Sequence, residues 1–580
     1  MSFGSQKKTR AGRVASAVVR LGRGARAYQQ LQRRDVLLRV VLCVVVSLLL
    51  WAATGGWSKP FFFRSGYIPQ RDIAACIAFP IMNDQQAEVS YERGQVLARG
   101  GRPLSASDVA LLHAEHLACK NTISVWQMLQ YSLAHIGVNL GLLGLCIAYL
   151  CFHQGPSFDN LRQLTLLLGA VLVAVTLAVL AARDAWRAES IPLVVFGMAL
   201  AVVYERRFAL LLSLVVSLMI TLSLGQTLGE FIILLSAVAG PILLVNRIRS
   251  RSKLIYVGLT GGLVVFVATL GVGILSGQTF APGPPTHLTG AGSTLAFSPA
   301  MFLASLISGA GWLGLCVVLA GFLMTGLLPF IERLFDVQTD ISLLELGDAA
   351  HPLLQQLAQR APGTYNHSIN VASLAEPAAE AVGGNGLLTR VGAYFHDIGK
   401  MLNPDYFVEN QSECGNQHEF LKPAMSTLVI KAHVKDGSDL ARQHHVPRSI
   451  IDFIEQHHGT TLVEYFYRQA ERRSQETPTP DRDQVDESSY RYPGPKPQRK
   501  ECAVLMLADA SEGACRTLVE PTPSRIESLV HDLAMKRLLD GQFDDCGLTL
   551  QELHIIEESL VKSLSAVYHG RIKYPNQQSA

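Results

Sequence analysis

Eight apolar runs fill most of residues 36 to 328, and no water-soluble core can absorb that many. They lie at 36–54, 131–151, 163–182, 191–204, 208–224, 229–245, 254–275 and 302–328. A helix crosses hydrocarbon in about 20 apolar residues, so most of these runs are predicted membrane spans, with 191–204 short enough that its ends are uncertain. The overall share of hydrophobic residues, 49%, with only 17% charged, is high for a soluble protein because of these runs. From residue 342 to 580 charges, turns and amphipathic periodicity return. The expected fold class is therefore all-α: a polytopic helical membrane domain followed by a cytoplasmic all-α domain, with a small mixed extracytoplasmic segment.

Charge placement orients the spans. Residues 1–35 carry Lys7, Lys8, Arg10, Arg13, Arg20, Arg23, Arg26, Arg33 and Arg34 against the single acid Asp35, a basic lead that stays in the cytoplasm. A cleaved signal peptide is the rival reading, disfavoured by the length of that lead and the lack of a clear small-residue cleavage site. With the N-terminus inside, the loops 152–162, 205–207 and 246–253 fall inside and hold Arg162, Arg206, Arg207, Arg247, Arg249, Arg251 and Lys253. The outer loops hold Arg183 and Arg187, and 276–301 has no Lys or Arg. Eight crossings with both termini cytoplasmic follow, in a multi-pass protein of the cell membrane. Few ionisable residues lie mid-span, which leaves a proton or ion pathway without support. The net charge of +3 is uninformative as a total, and the ten cysteines form no CxxC pair, so neither a disulfide framework nor a zinc ribbon is indicated. Cys76 and Cys119 would face an oxidising compartment together.

The expected organisation is a basic N-terminus 1–35, a first span 36–54, an extracytoplasmic segment 55–130, a seven-helix domain 131–328, a linker 329–341 and a cytoplasmic domain 342–580. In the outer segment, Tyr91 to Gly101 alternates like strands joined by Gly turns, and Ser105 or Ser107 reads as the N-cap of a helix running to Leu117. A small structural domain is the plain reading there and a ligand sensor the sharper one. In the cytoplasmic domain, helices are predicted over 341–361, closed by Pro362-Gly363, and over 366–382, 386–398, 422–434, 447–458 and 500–516. The Pro-rich, charged stretch 472–499 reads as a connector that would also form one wall of a site.

The chemistry concentrates in this domain. His396-Asp397 ends an apolar helical run; around it in sequence stand His367, His433, the pair His457-His458, and Asp509. Imidazoles each offer one nitrogen to a divalent ion, while a carboxylate has two oxygens and can bridge two ions. A lone His beside a core is usually just hydrogen-bonded, and one ion needs only three or four ligands. Five His and two Asp imply a two-metal centre with Asp397 between the ions. Two such ions about 3.5–4 Å apart activate a bridging water and clamp a phosphoryl group, so the reaction class is phosphoester hydrolysis. Asp509, Glu512 and Arg516 share one helix face, at i, i+3 and i+7.

His396-Asp397 with the flanking His and distal Asp resembles the HD superfamily of metal-dependent phosphohydrolases. The stretches Gly363–Ser368, Arg390–Lys400, Glu409–Gln411, Gln456–Thr461 and Arg491–Gln498 more narrowly resemble the seven-transmembrane HD-domain family, whose members of the PgpH type hydrolyse cyclic di-AMP. The resemblance implies that His367, His396, Asp397 and Asp509 hold one metal and that Asp397, His433, His457 and His458 hold the other, the metals being iron or manganese. It implies a phosphodiesterase that opens cyclic di-AMP to linear pApA with a metal-activated hydroxide as nucleophile. His396, Asp397 and Lys400 are then the expected catalytic residues. Lys400 and Arg516 are candidate phosphate contacts by charge alone, with an ion pair as the alternative. Another nucleotide, a guanosine alarmone or cyclic di-GMP, is the alternative substrate, and a binding-only receptor the alternative class. The expected partners are the cyclic dinucleotide and the lipid bilayer, with no polymeric nucleic acid; an outer ligand and self-association stay open. The segment 55–130 is far shorter than the family's usual outer domain, and only the part near Tyr91 to Leu117 resembles it.

Overall fold

The structure is a computed structural model that describes residues 34–82, 88–153, 161–182, 186–245, 248–280, 299–411, 415–476 and 485–569. The basic lead 1–33 and most of the loop 276–301 lie outside these. Two compact units appear, one reaching to Phe335 and the other from Asp336 onward, with Arg247–Ser250 grouped with the second.

In the first unit eight apolar helices are described: α1 (Arg34–Thr54), α3 (Val125–His153), α4 (Leu161–Ala182), α5 (Ser190–Val203), α6 (Arg206–Leu224), α7 (Leu228–Leu244), α8 (Arg251–Ser276) and α9 (Pro299–Phe335). All but α5 and α7 are long and apolar enough to cross a membrane. The 14 residues of α5 rise about 21 Å at roughly 1.5 Å each, short of a hydrocarbon core of about 30 Å. The last helix runs on through Pro329 to Phe335, past the expected span end at 328. Helices α8 and α9 touch through glycine: a Cβ on Gly262 would stand 2.8 Å from the Gly314 carbonyl oxygen, the close backbone approach that small residues permit between apolar helices.

Between α1 and α3 lies the small mixed segment. Strand β1 (Ile73–Ala74) pairs antiparallel with β4 (Val96–Ala98), and β2 (Phe79–Met82) pairs with β3 (Glu88–Tyr91). Helix α2 (Ala106–Thr122) follows, and Ser105 is its N-cap in a reciprocal capping box with Asp108. Phe79 stacks on Tyr91 at 5.4 Å over a core that includes Leu97, Leu104 and Leu112. Cys76 and Cys119 are free thiols, and the Cys76 N–H donates to Glu115, one turn before Cys119.

Among the described residues the second unit is helix and turn apart from one isolated antiparallel bridge between Leu462 and Arg491. Its helices are α10 (Asp340–Leu346), α11 (Pro352–Arg360), α12 (Pro362–Ala381), α13 (Gly386–Phe395), α14 (Pro423–Gln443), α15 (Arg448–Gln456), α16 (Glu464–Glu476), α17 (Lys500–Cys515), α18 (Pro523–Leu539) and α19 (Leu550–His569). The single helix expected over 341–361 is two: the chain breaks at Gly347, and His351 Nδ1 accepts from the Leu353 N–H to start α11 with Pro352 at its first position. Pro362 likewise opens α12 at once rather than only closing what precedes it. Helices α16, α18 and α19 are additional to those expected. The core between them holds Val391, Phe395, Phe453, Leu505, Leu507 and Leu560, all fully buried.

Candidate metal centre

Five helices and a turn bring the seven sequence-predicted donors to one pocket. His367 sits in the second turn of α12, His433 mid-way along α14, and Asp509 on α17, whereas His396 and His457 cap the ends of α13 and α15. After His396 the chain tightens into a 3-10 turn, Ile398–Leu402. Gly399 in that turn has no room for a side chain, because a Cβ would lie 2.0 Å from the His433 carbonyl oxygen. That close approach carries α14, and with it His433, up against Asp397.

Asp397 is the hub, its side chain only 2% exposed. Its Oδ1 faces His433 Nε2 at 3.4 Å and His457 Nε2 at 3.6 Å. Its Oδ2 faces His396 Nε2 at 3.2 Å, His367 Nε2 at 3.8 Å and Lys400 Nζ at 2.7 Å. Asp509 meets His367 at 3.0 Å, and His396 and His458 at 3.9 Å each. His367, His396 and Asp397 form one group able to hold an ion; His433, His457 and His458 form another, and His396, His457 and Asp509 a third between them.

Three of the histidines have the same tautomer imposed on them. The Nδ1–H of His396 donates to Ala393 O at 2.7 Å, that of His433 to Ile430 O at 2.5 Å, and that of His457 to Ile454 O at 2.9 Å. Each is a carbonyl one helical turn back. A neutral ring that donates from Nδ1 presents a bare lone pair at Nε2, and all three lone pairs point at a carboxylate. His396 Nε2 and Asp397 Oδ1 are accordingly buried without a hydrogen-bond partner, close to acceptors but with no proton to share. Acceptors converging in this way fit a cation, and the fixed Nδ1 bonds are what orient imidazole ligands around one.

The electrostatics agree. Burial, opposed in part by Asp397, pushes His433 down to about 3, and burial with neighbouring His457 and His433 holds His458 well below the usual range. Both stay neutral, as ligands must. Burial also works against the ionised form of Asp397, but the Lys400 ammonium beside it keeps its carboxyl well below the ordinary range. His367 is the exception: despite burial, its bonds to Asp509 and Glu512 lift it to about 9, so an ion bound there would displace the proton from its Nε2.

Further side chains surround the donors, and several of their pairings are not evident from the sequence. Glu512 Oε2 accepts from His367 Nδ1 at 2.6 Å, and Arg516 grips the other Glu512 oxygen at 2.6 Å. Arg516, expected as a phosphate contact, is thus engaged in an ion pair with Glu512. Lys400 is held between Asp397 and Glu409, the latter at 2.9 Å, and lies over the Phe407 ring. Thr364 in turn donates to Glu409 and accepts from Asn410. Tyr492, from the Pro-rich run, stacks on His458 at 4.3 Å, and Gln498 N donates to Gln456, so that run does form one wall. The i, i+3 spacing of Asp509 and Glu512 was the available signal for Glu512; nothing local marks Glu409 as the partner of Lys400.

A family model described as the HD domain matches residues 364–514, which contain all seven donors, and a second, described as a 7TM receptor with intracellular HD hydrolase, matches residues 130–339. The chain belongs to the 7TM-HD family. Its curated 7TM-HD relatives include the cyclic-di-AMP phosphodiesterase PgpH of Bacillus subtilis, 34% identical over 450 residues that make up 75% of this chain and 59% of that protein. PgpH of Listeria monocytogenes is 36% identical over 66% of this chain and 49% of its own length. The chain therefore spans between about half and three-fifths of the curated relatives it matches. The crystal structure of the L. monocytogenes PgpH HD domain aligns with 46% identity over 38% of this chain and all of that one, with a TM-score of 0.35. The 7TM-HD match and the apolar helices make this a multi-pass membrane protein, and an HD domain with His/Asp clusters implies dependence on divalent metal.

Proposed function

We propose that this chain is a membrane-anchored phosphodiesterase that hydrolyses cyclic di-AMP to linear pApA, with the HD domain on the cytoplasmic side. The observation that carries the reading is the set of proton-free acceptors around Asp397. The names of the relatives, cyclic-di-AMP phosphodiesterases, supply the substrate.

His367, His396, Asp397 and Asp509 would hold one divalent ion, and Asp397, His433, His457 and His458 the other. Mixed imidazole and carboxylate ligation suits manganese or iron. Ions held by these residues would supply Lewis-acid activation of water and positive charge for phosphoester hydrolysis. Asp397 offers an oxygen to each site, and the Nδ1 bonds of His396, His433 and His457 keep their Nε2 lone pairs aimed inward. Lys400, raised above the ordinary lysine range by Asp397 and Glu409 in spite of burial, stays an ammonium. It fixes the Asp397 carboxylate and keeps a positive charge beside the reacting phosphate. Arg516 works through Glu512, which orients His367. Tyr492 shields His458 and gives the pocket an aromatic wall.

The test is turnover by the full chain, purified in detergent and loaded with manganese. Cyclic di-AMP should yield pApA. Turnover of a guanosine nucleotide alone would move the assignment to another substrate, and binding of cyclic di-AMP without cleavage by metal-loaded protein would leave a receptor.

A further inference from the structure

A second recess lies far along the chain from the HD donors, within the membrane-spanning unit. A cavity of about 880 Å³ is lined by Thr54, Ala182, Leu224 and Ser276, at the closing ends of α1, α4, α6 and α8, and by Thr227 at the start of α7. It therefore sits at the end of the bundle that carries the small mixed segment, whose residues Pro60–Tyr67 and helix α2 complete its walls. Ligand pockets commonly measure roughly 300–1,000 Å³ and pair an apolar lining with a few convergent polar groups, and this one has both.

Its apolar side is aromatic. Phe61, Phe62 and Phe63 line it in succession, and Phe61 packs on His113 at 5.2 Å and His116 at 5.4 Å. Its polar side is cationic: Arg64, Lys120 and Arg187 line it against the single acid Glu230. On α2, His113, His116 and Lys120 fall at i, i+3 and i+7, one stripe facing the cavity. Arg187 is already committed, bonded to Glu230 at 2.6 Å with its guanidinium over the Phe280 ring. Arg64 is held more loosely: its Nη2 donates to Ala182 O at 3.3 Å, and its Nη1 has no hydrogen bond among the described residues but pairs at 3.8 Å with the Glu189 carboxylate. The Arg64 side chain is 26% exposed, so it can still be approached from the cavity, and its planar fork matches a carboxylate or phosphate.

We propose that this cavity binds an anion with a compact apolar body, a carboxylate or phosphate ester whose acid group lies on Arg64 and whose body rests on Phe61 to Phe63. Such an anion reaches it either from solution or as the headgroup of an anionic lipid.

The full chain in phosphatidylcholine nanodiscs is titrated with phenyl phosphate and with benzoate, and separately placed in discs containing phosphatidic acid. Saturable binding of either soluble probe, weakened tenfold or more by Arg64→Gln, severalfold by Lys120→Gln and not at all by Arg102→Gln, supports the site with a soluble ligand. Arg64-dependent retention of phosphatidic acid without soluble binding supports it with a lipid. Should no probe bind, or binding ignore both Arg64→Gln and Lys120→Gln, the proposal is overturned. Lys120 is exposed, so its variant keeps the test decisive even if Arg64→Gln fails to fold.

Discussion

His433 Nε2 and His457 Nε2 lie 3.3 Å apart although each ring has already spent its Nδ1 proton on a backbone carbonyl. Two lone pairs therefore face one another, with an Asp397 oxygen within 3.6 Å of both. Only positive charge between them relieves that arrangement. Stripping divalent metal should lower the melting temperature of the HD unit. A ligand present at 100 times its Kd stabilises by about 2.7 kcal/mol, or roughly 5–10 °C for a unit of this size. Calorimetry with and without a chelator, followed by manganese, reads this; a melting temperature indifferent to chelation would count against the metal centre.

Asp397→Ala removes both oxygens of the hub. Turnover should fall by roughly three orders of magnitude or more, as for members of a concerted catalytic set, and metal content should drop below two equivalents. Kinetics alongside elemental analysis decide it, since near-normal turnover would take Asp397 out of the bridging role.

Glu512→Gln keeps the shape beside His367 but removes the charge that orients it. Metal affinity should weaken about 10–100-fold, the usual scale for a partner one bond beyond a ligand. Arg516→Gln should move metal affinity in the same direction by a smaller factor and leave KM nearly untouched. A raised KM with unchanged metal affinity would instead make Arg516 a phosphate contact.

His351 offers a pH test away from the metal donors. Burial, with His444 nearby, lowers its pKa from the ordinary value, about 6.5 in an unfolded chain. The folded state thus prefers the neutral ring, whose Nδ1 caps α11. A lowered folded value means the stabilisation is present above about pH 6.5 and is lost as pH falls through the folded value. Loss of an N-cap costs about 1 kcal/mol, roughly 2–4 °C here. His351→Asn keeps a capping oxygen without a proton to gain, so its melting temperature should fall less than the wild type's between pH 7 and 5; parallel curves would refute the cap.

The seven donors are legible in the sequence because each is a chemistry-bearing side chain inside a short distinctive stretch, and the apolar runs are legible because hydrocarbon demands their length. Glu409 and Arg516 are different. What Lys400 and Arg516 touch depends on which helices close around them, and a positive charge read alone cannot say whether a carboxylate or a substrate waits opposite. Strands β1 and β2 are two and four residues long, too short for alternation to register. The break at Gly347 escapes notice because His351 is an unusual cap, and α18 and α19 lie beyond the last recognisable stretch, where only the burial of their own Val530 and Leu560 in the shared core gives them a place.

The carbonyls of Ala393, Ile430 and Ile454 choose the tautomer of the three rings above them, and a carbonyl belongs to every amino acid alike. Those positions can therefore drift in identity without any electronic effect on the imidazoles. Phase is what they cannot lose. One residue inserted between Ile430 and His433 would swing the ring about 100° around its axis and silence it, with every chemically interesting side chain still present and a sequence comparison none the wiser.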